Sequence, residues 1–221
     1  MIALIDYGAG NLTSVRKALT ALGADFTVPS STSACEQASG IIVPGVGHFA
    51  ATAALEGEWL QAIAWAVAAG TPLLGICLGM QWLFEGSDEA PEVQGLGIIH
   101  GRIAKLQNDL DRRLKVPHVG WNALEFNPST ALGAGGTARL LQGLTSGSQV
   151  YFTHSYAAPV TGECVASTEH ANTFSSVVER DNVFGVQFHP EKSGDAGLQI
   201  LRNFLQVCGP PSPNAAAGQG C

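Results

Sequence analysis

The chain predicts an α/β fold in three layers: a central, mostly parallel sheet with helices on both faces, and an antiparallel meander in the C-terminal half. Three observations carry this reading. Short, wholly apolar runs recur through residues 1–77, the way strands buried on both faces read. Helical periodicity fills the intervals between them. Beyond residue 148 the pattern changes to closely spaced strand-like runs with turns between them.

In order, Ile2–Ile5 (IALI) is the first strand, and the turn residues DYGAGN follow it. Leu12, Val15, Leu19 and Leu22 recur at helical spacing, with Asn11 placed to cap the start and Gly23 to end it. Gly40–Gly45 (GIIVPG) is the second strand. Leu55, Trp59, Ile63 and Val67 mark a second helix that closes at Gly70, and TPLLGI is the third strand. Strand and helix alternating in this way call for parallel crossovers. SQVYFTHSYAA, ECVAST, FSSVVER and NVFGVQFHP make the meander. The last helix carries Leu198, Leu201, Leu205 and Cys208 on one stripe and stops at Gly209-Pro210.

Residues 209–221 (GPPSPNAAAGQGC) have almost nothing to bury. Ordering them costs about 1–2 kcal/mol per residue in backbone entropy, so they read as a disordered tail after one domain, 1–208. GAGG, Gly133–Gly136, reads as a flexible surface loop.

With 221 residues, 46% of them hydrophobic, the chain can bury one substantial core. A formal charge of −7 argues against nucleic acid or an anionic membrane as partner. Five of the eleven basic residues (Arg102, Lys105, Arg112, Arg113, Lys115) share a segment with Asp109 and Asp111, which reads as a solvated charged loop. The five cysteines, at 35, 77, 164, 208 and 221, lack metal-ligand spacing, and no metal site is expected. Their odd number, and an N-terminus that reads as a strand rather than a leader, fit a reduced, cytoplasmic protein. No apolar run approaches the ~20 residues that span a bilayer.

PLLGICLGMQ, Pro72–Gln81, takes a cysteine out of a buried strand between Gly75 and Gly79. A strand entering a helix through a tight turn with a nucleophile at its apex is an elbow. The glycines let neighbouring backbone approach closely, and the helix start directs N–H groups and a positive dipole end at the sulfur. Taken alone, Gly-x-Cys-x-Gly also describes a buried structural cysteine. A nucleophilic cysteine needs a base, and the base an orienter. Of six histidines, His189 ends the run VFGVQF, and HPE places Glu191 two residues on, facing the same way if the chain is extended. Strand carboxyl ends share one sheet edge, so Cys77 and His189 can meet there. A strand-end histidine in a proline turn is the plainer alternative. For an oxyanion, the Leu78 N–H at the helix start is the first donor, and the backbone around Val46 in PGVGHF the second. That segment also reads as a simple turn.

With these residues assembled, the sequence resembles the triad-type (class I) glutamine amidotransferases. The likeness covers residues 1–207 and rests on IDYGAGNLTSV, PGVGHF, GICLGMQ, PHVGWN, YFTHSY and GVQFHPEKS. Within them it is similar to the subfamily of glutaminase subunits that serve histidine biosynthesis, marked by DYGAGN, PGVG and HVGWN. Departures are the Pro/Ala/Gly tail and the long STALGAGGTARL stretch.

The resemblance implies that Cys77 attacks glutamine, His189 relays protons and Glu191 orients His189. It further implies that Gly47, Gln81, Ser155 and Tyr156 hold glutamine, and that Trp121, Tyr151 and Lys192 face a partner. That partner is a (β/α)8-barrel cyclase, which receives ammonia and makes imidazole glycerol phosphate and an aminoimidazole carboxamide ribotide. Ending without a barrel, the chain is expected to meet the cyclase as a separate polypeptide in a heterodimer. No metal or organic cofactor is implied. A stand-alone cysteine hydrolase, a catalytically silent binding subunit and an amidotransferase for another acceptor are the rival readings.

Overall fold

A computed structural model describes residues 1–109, 111–127 and 138–209. The expected loop at Gly133–Gly136 lies outside these residues, as does the expected tail beyond Gly209. Four strands open the chain: β1 (Ile2–Leu4), β2 (Phe26–Thr27), β3 (Gly40–Gly45) and β4 (Leu73–Cys77). β5 (Gly86–Ser87), β6 (Ala90–Gln94), β7 (Arg102–Lys105), β8 (His118–Ala123) and β9 (Glu125–Phe126) follow. β10 (Gln149–His154), β11 (Tyr156–Ala157), β12 (Cys164–His170), β13 (Asn172–Arg180) and β14 (Val183–Val186) complete the strands. The helices are α1 (Leu12–Ala21), α2 (Ser33–Gln37), α3 (Glu58–Ala68), α4 (Leu78–Trp82) and α5 (Gly194–Val207).

The main sheet has eight strands in the order β2-β1-β3-β4-β14-β13-β12-β9. The first five run parallel, and β14-β13-β12-β9 are antiparallel neighbours. Alternation along the strands divides the core between the two faces. Leu4, Ile42, Leu74 and Phe184 pack with Val15 and Leu19 of α1 and Ile200 and Phe204 of α5. Ala3, Ile41, Val43 and Leu73 pack on the other side with Cys35 of α2 and Ile63 and Val67 of α3. The parallel sheet with helices on both faces and the antiparallel C-terminal half both stand.

Several details differ from the sequence reading. Asn11 occupies the cap position of α1, but its side chain makes no capping bond. Leu55 belongs to a separate 3-10 turn, Phe49–Leu55, and Gly57 at φ 69° stands between that turn and α3. The buried stripe of α5 is Gly197, Ile200, Leu201 and Phe204, whereas Leu198, Leu205 and Cys208 are half-buried. The SQVYFTHSYAA run does not join the meander: β10 pairs with β8 in a ribbon, and β11 joins a small sheet, β11-β7-β5-β6. In the basic segment, Arg102 reaches Asp88 at 2.8 Å and Arg112 reaches Glu169 at 2.6 Å, all four side chains solvated.

Candidate active site

Cys77 is the last residue of β4 and precedes α4, with φ 53° and ψ −105°. A non-glycine residue in this region stores strain of order 1–3 kcal/mol, which the surrounding packing must hold. The glycines make that packing possible. A Cβ on Gly79 would stand 1.8 Å from the Val43 carbonyl oxygen, and one on Gly75 would stand 2.5 Å from the Gly79 oxygen. β3, β4 and α4 are therefore in backbone contact, and the thiol is fixed at the sheet's carboxyl edge.

His189 reaches that edge by a different path from the one expected. β14 ends at Val186, so His189 follows the strand instead of closing it. Its backbone is extended (φ −98°, ψ 96°), and Pro190–Lys192 form a 3-10 turn rather than extended chain. The turn still brings Glu191 Oε1 to 2.9 Å from His189 Nδ1, with both side chains almost wholly buried. The His189 N–H donates to the Tyr151 carbonyl, and Ser193 Oγ donates to the His189 carbonyl, tying the segment to β10.

His189 Nε2 is buried without an ordinary hydrogen-bond partner. Burial by itself would lower the pKa of the ring. The Cys77 sulfur and the Glu191 carboxylate outweigh burial and push it up to about 10. A pKa that high leaves the ring protonated at neutral pH.

The cleft beside Cys77 has a volume of about 200 Å³. Gly47, Leu78, Gln81, Glu89, Thr153, Ser155 and Tyr156 are among its walls. Gln81 Nε2 donates to the Tyr156 carbonyl at 2.8 Å and to Gln187 Oε1 at 3.2 Å. Val46 lies in the neighbouring loop after β3. Its N–H donates to the Ala9 carbonyl at 2.7 Å, so in this state the group is engaged by the DYGAGN turn. Trp121, Tyr151 and Lys192 share one surface: the two rings meet edge to face at 6.1 Å, and Lys192 Nζ lies 6.0 Å over Tyr151.

Three residues at the site were missed in the sequence. Glu89 lines the cleft and accepts the Phe49 N–H at 2.8 Å, but in SDEAPE it reads as one of a solvated acidic run. Gln187 is fully buried and directs Nε2 at Cys77 Sγ from 3.7 Å. A lone amide in the apolar run VFGVQF was the available signal. Tyr7 has a buried, unpartnered hydroxyl whose pKa is raised by burial and by the charge of Cys77. Among the described residues, no group of three or more His, Cys, Asp or Glu could hold a metal ion. No helix there is long and apolar enough to cross a membrane.

A cysteine at a strand–helix elbow, a buried His–Glu pair and a small polar cleft on an α/β sheet edge fit an acyl-transfer enzyme, and comparison with known proteins specifies the class. The chain belongs to the class-I glutamine amidotransferase family, whose model matches residues 3–208. It is 45% identical over 215 residues to the imidazole glycerol phosphate synthase subunit HisH of Geobacillus thermodenitrificans, spanning 94% of this chain and 96% of that protein. To the subunit of the same name from Syntrophotalea carbinolica it is 42% identical, spanning 92% and 98%. A crystal structure of a glutamine amidotransferase shares the fold, with a TM-score of 0.68 at 21% identity over 95% of this chain and 99% of that one.

Proposed function

We infer that this chain is the glutaminase subunit of an imidazole glycerol phosphate synthase and supplies ammonia to a partner subunit in histidine biosynthesis. The observation that carries the reading is the grouping of Cys77, His189 and Glu191 at one sheet edge beside a small polar cleft. The names of its relatives supply the pathway.

In this reading Cys77 Sγ attacks the carboxamide carbon of glutamine, and His189 Nε2 holds the thiol proton. The proton passes to the departing nitrogen, which leaves as ammonia from a γ-glutamyl thioester. Water, activated by the now neutral His189, attacks the thioester, releases glutamate and restores the thiol. Glu191 fixes the ring through Nδ1 throughout. Glutamine also carries an α-ammonium group, and Glu89 is the carboxylate among the described walls that can pair with it. Gln81, Gly47, Ser155 and Tyr156 form the rest of the cradle.

In this reading the Leu78 N–H, in the first turn of α4, is the first oxyanion donor. The Val46 N–H becomes the second only after its peptide turns away from Ala9. One such donor contributes roughly 10²–10³ in rate, enough to keep the free subunit slow until its partner acts. The partner proposed is a separate (β/α)8-barrel cyclase docked over Trp121, Tyr151 and Lys192. Contact there delivers ammonia without exposing it to water, where protonation would end its nucleophilicity.

Cys77→Ala in the assembled pair tests the assignment. Glutamine hydrolysis is expected to vanish while product formation from added ammonium salts persists. Residual glutaminase activity in that variant would refute Cys77 as nucleophile.

A further inference from the structure

The inner face of the β8–β10 ribbon holds two buried histidines and a half-buried asparagine that the reaction above does not use. His118 and His154 stand directly opposite one another in register. Strand alternation puts Asn122 on the same side as His118, while Val119 and Trp121 face outward, each 57% exposed. His118 and His154 are 4% and 7% exposed.

The hydrogen bonds fix a direction. His154 Nδ1 lies 2.9 Å from the Tyr156 carbonyl, which only accepts, so Nδ1 carries the proton. A neutral His154 then has a bare Nε2, and the group 3.1 Å away, His118 Nδ1, must donate to it. This leaves His118 Nε2 bare, with Asn122 Nδ2 at 3.3 Å to supply a proton. The Asn122 amide is oriented independently, since Oδ1 accepts the Ala123 N–H and Nδ2 donates to the Glu169 carbonyl. Donor follows donor from Asn122 to Tyr156, and each ring nitrogen has one role.

The far end of this chain is the glutamine cradle. The Tyr156 carbonyl accepts from His154 and from Gln81 at 2.8 Å, which occupies both of its lone pairs. Thr153, His154, Ser155 and Tyr156 all line the cleft.

We propose that Asn122, His118 and His154 are positioning residues for glutamine: a one-way hydrogen-bond chain of two neutral imidazoles that sets the Ser155–Tyr156 backbone from behind. The proposal rests on the glutaminase reading for the identity of the ligand. Protonating either ring would set two donors against each other and break the chain.

The surroundings favour the neutral forms. His118 is stacked between Phe152 and His170, with ring centroids at 4.8 and 4.1 Å. His170 Nε2 is turned away, 2.9 Å from the Lys115 carbonyl. Burial, with His170 adding to it, lowers the His118 pKa to about 4. Burial likewise lowers His154 to about 3, against the Tyr156 bond that raises it and together with His118, His170 and the catalytic His189.

Two measurements test the chain. The first is imidazole ¹⁵N NMR of the unmodified protein at pH 7, which reads tautomers without any substrate. Both His118 and His154 are expected to be protonated at Nδ1 alone. An Nε2–H tautomer or an imidazolium at either ring would overturn the proposal.

The second is L-glutamine affinity by calorimetry on the full chain carrying Cys77→Ala, which binds without turnover. Adding His118→Phe keeps the ring stacking but removes the donor to His154. Affinity is expected to fall about tenfold, the scale of one unsatisfied buried group. His118→Asn retains a donor at the δ position and is expected to stay within about twofold of the parent. Equal losses in both variants, or none in His118→Phe, would show a merely structural role. A parent that binds no glutamine would instead defeat the glutaminase reading and leave the NMR result to stand by itself.

Discussion

The two loops that meet at the cleft are built in opposite ways. The elbow around Cys77 is locked by backbone contact, since a Cβ on Gly75 or Gly79 would fall within 2.5 Å of neighbouring main chain. The Gly45–Gly47 loop is tight at one end, where a Cβ on Gly45 would stand 2.1 Å from the Tyr7 hydroxyl, and open at the other. Nothing lies within 4 Å of a Cβ built on Gly47, at φ 101°. Its central N–H is held by one hydrogen bond to Ala9. The Cys77 thiol is therefore set by the fold, whereas the Val46 N–H, the second oxyanion donor in the proposed reaction, is held away by a single bond. In the proposed reaction, cleavage is withheld by the position of one peptide, without disturbing the strained cysteine.

The largest expected effect separates the two loops by substitution. Gly79→Ala forces β3 away from α4, and overpacking of backbone against backbone should cost about 3 kcal/mol or more, visible as loss of soluble folded protein. Gly47→Ala meets no atom and carries only the strain of a positive φ, about 1 kcal/mol. Chemical denaturation of the pair checks the contrast. Similar losses at both glycines would show that the loops are equally packed.

Next come the groups that act on sulfur. His189→Ala should lower glutamine turnover nearly as far as loss of Cys77, because in the proposed reaction the two act in one relay and such effects do not add. Glu191→Gln keeps a hydrogen-bonding partner for Nδ1 but removes the charge, and should leave more activity. Steady-state kinetics of the assembled pair distinguish these outcomes. A Glu191→Gln defect equal to that of His189→Ala would give the carboxylate more than an orienting role.

A smaller and more local effect sharpens the contrast. The Val46 amide is expected to exchange slowly with solvent in the free chain, since it is tied to Ala9. Adding the partner subunit should change that protection while the Leu78 amide stays as it was. Hydrogen exchange read by NMR resolves the two sites. Unaltered protection at Val46 on full activation would place the switch elsewhere.

The difference between the loops was only partly legible in sequence. Gly75-x-Cys77-x-Gly79 announced close backbone approach because no other residue type serves there. β3 was read with its observed bounds because every one of its residues is buried. Val46 could be named as a donor, but which way its peptide points depends on Ala9, a contact between distant turns that no periodicity encodes. Glu191 was paired with His189 through the wrong backbone, an extended chain in place of a 3-10 turn. Both conformations bring residues i and i+2 together here. The small sheet escaped notice because β5 and β11 have two residues each and β6 contains Pro91. Glu89 and Gln187 escaped because a buried polar role is a property of tertiary packing.

The same site sets two kinds of histidine against each other, and pH should separate them. The pKa of His189 is raised to about 10, so its contribution to stability is complete below about 6.5 and is lost as pH climbs through about 10. His118 is shifted the other way, to about 4. Between pH 6.5 and 4 the unfolded chain takes up a proton that folded His118 refuses. Stability contributed by its neutral form is therefore whole above about 6.5 and declines as pH falls toward 4. From pH 7 to 5 this amounts to about 2 kcal/mol at most, or roughly 4–8 °C in Tm for a domain of this size. His118→Phe should lower Tm at pH 7 by removing a hydrogen bond, yet lose less on going to pH 5 than the parent does. The alkaline flank, governed by His189, should be the same in both proteins. Thermal melts at pH 5, 7 and 9.5 give all three comparisons. Parallel acid slopes in the variant and the parent would mean that His118 is already protonated in the folded chain, and that the ribbon is held together by something other than neutral rings.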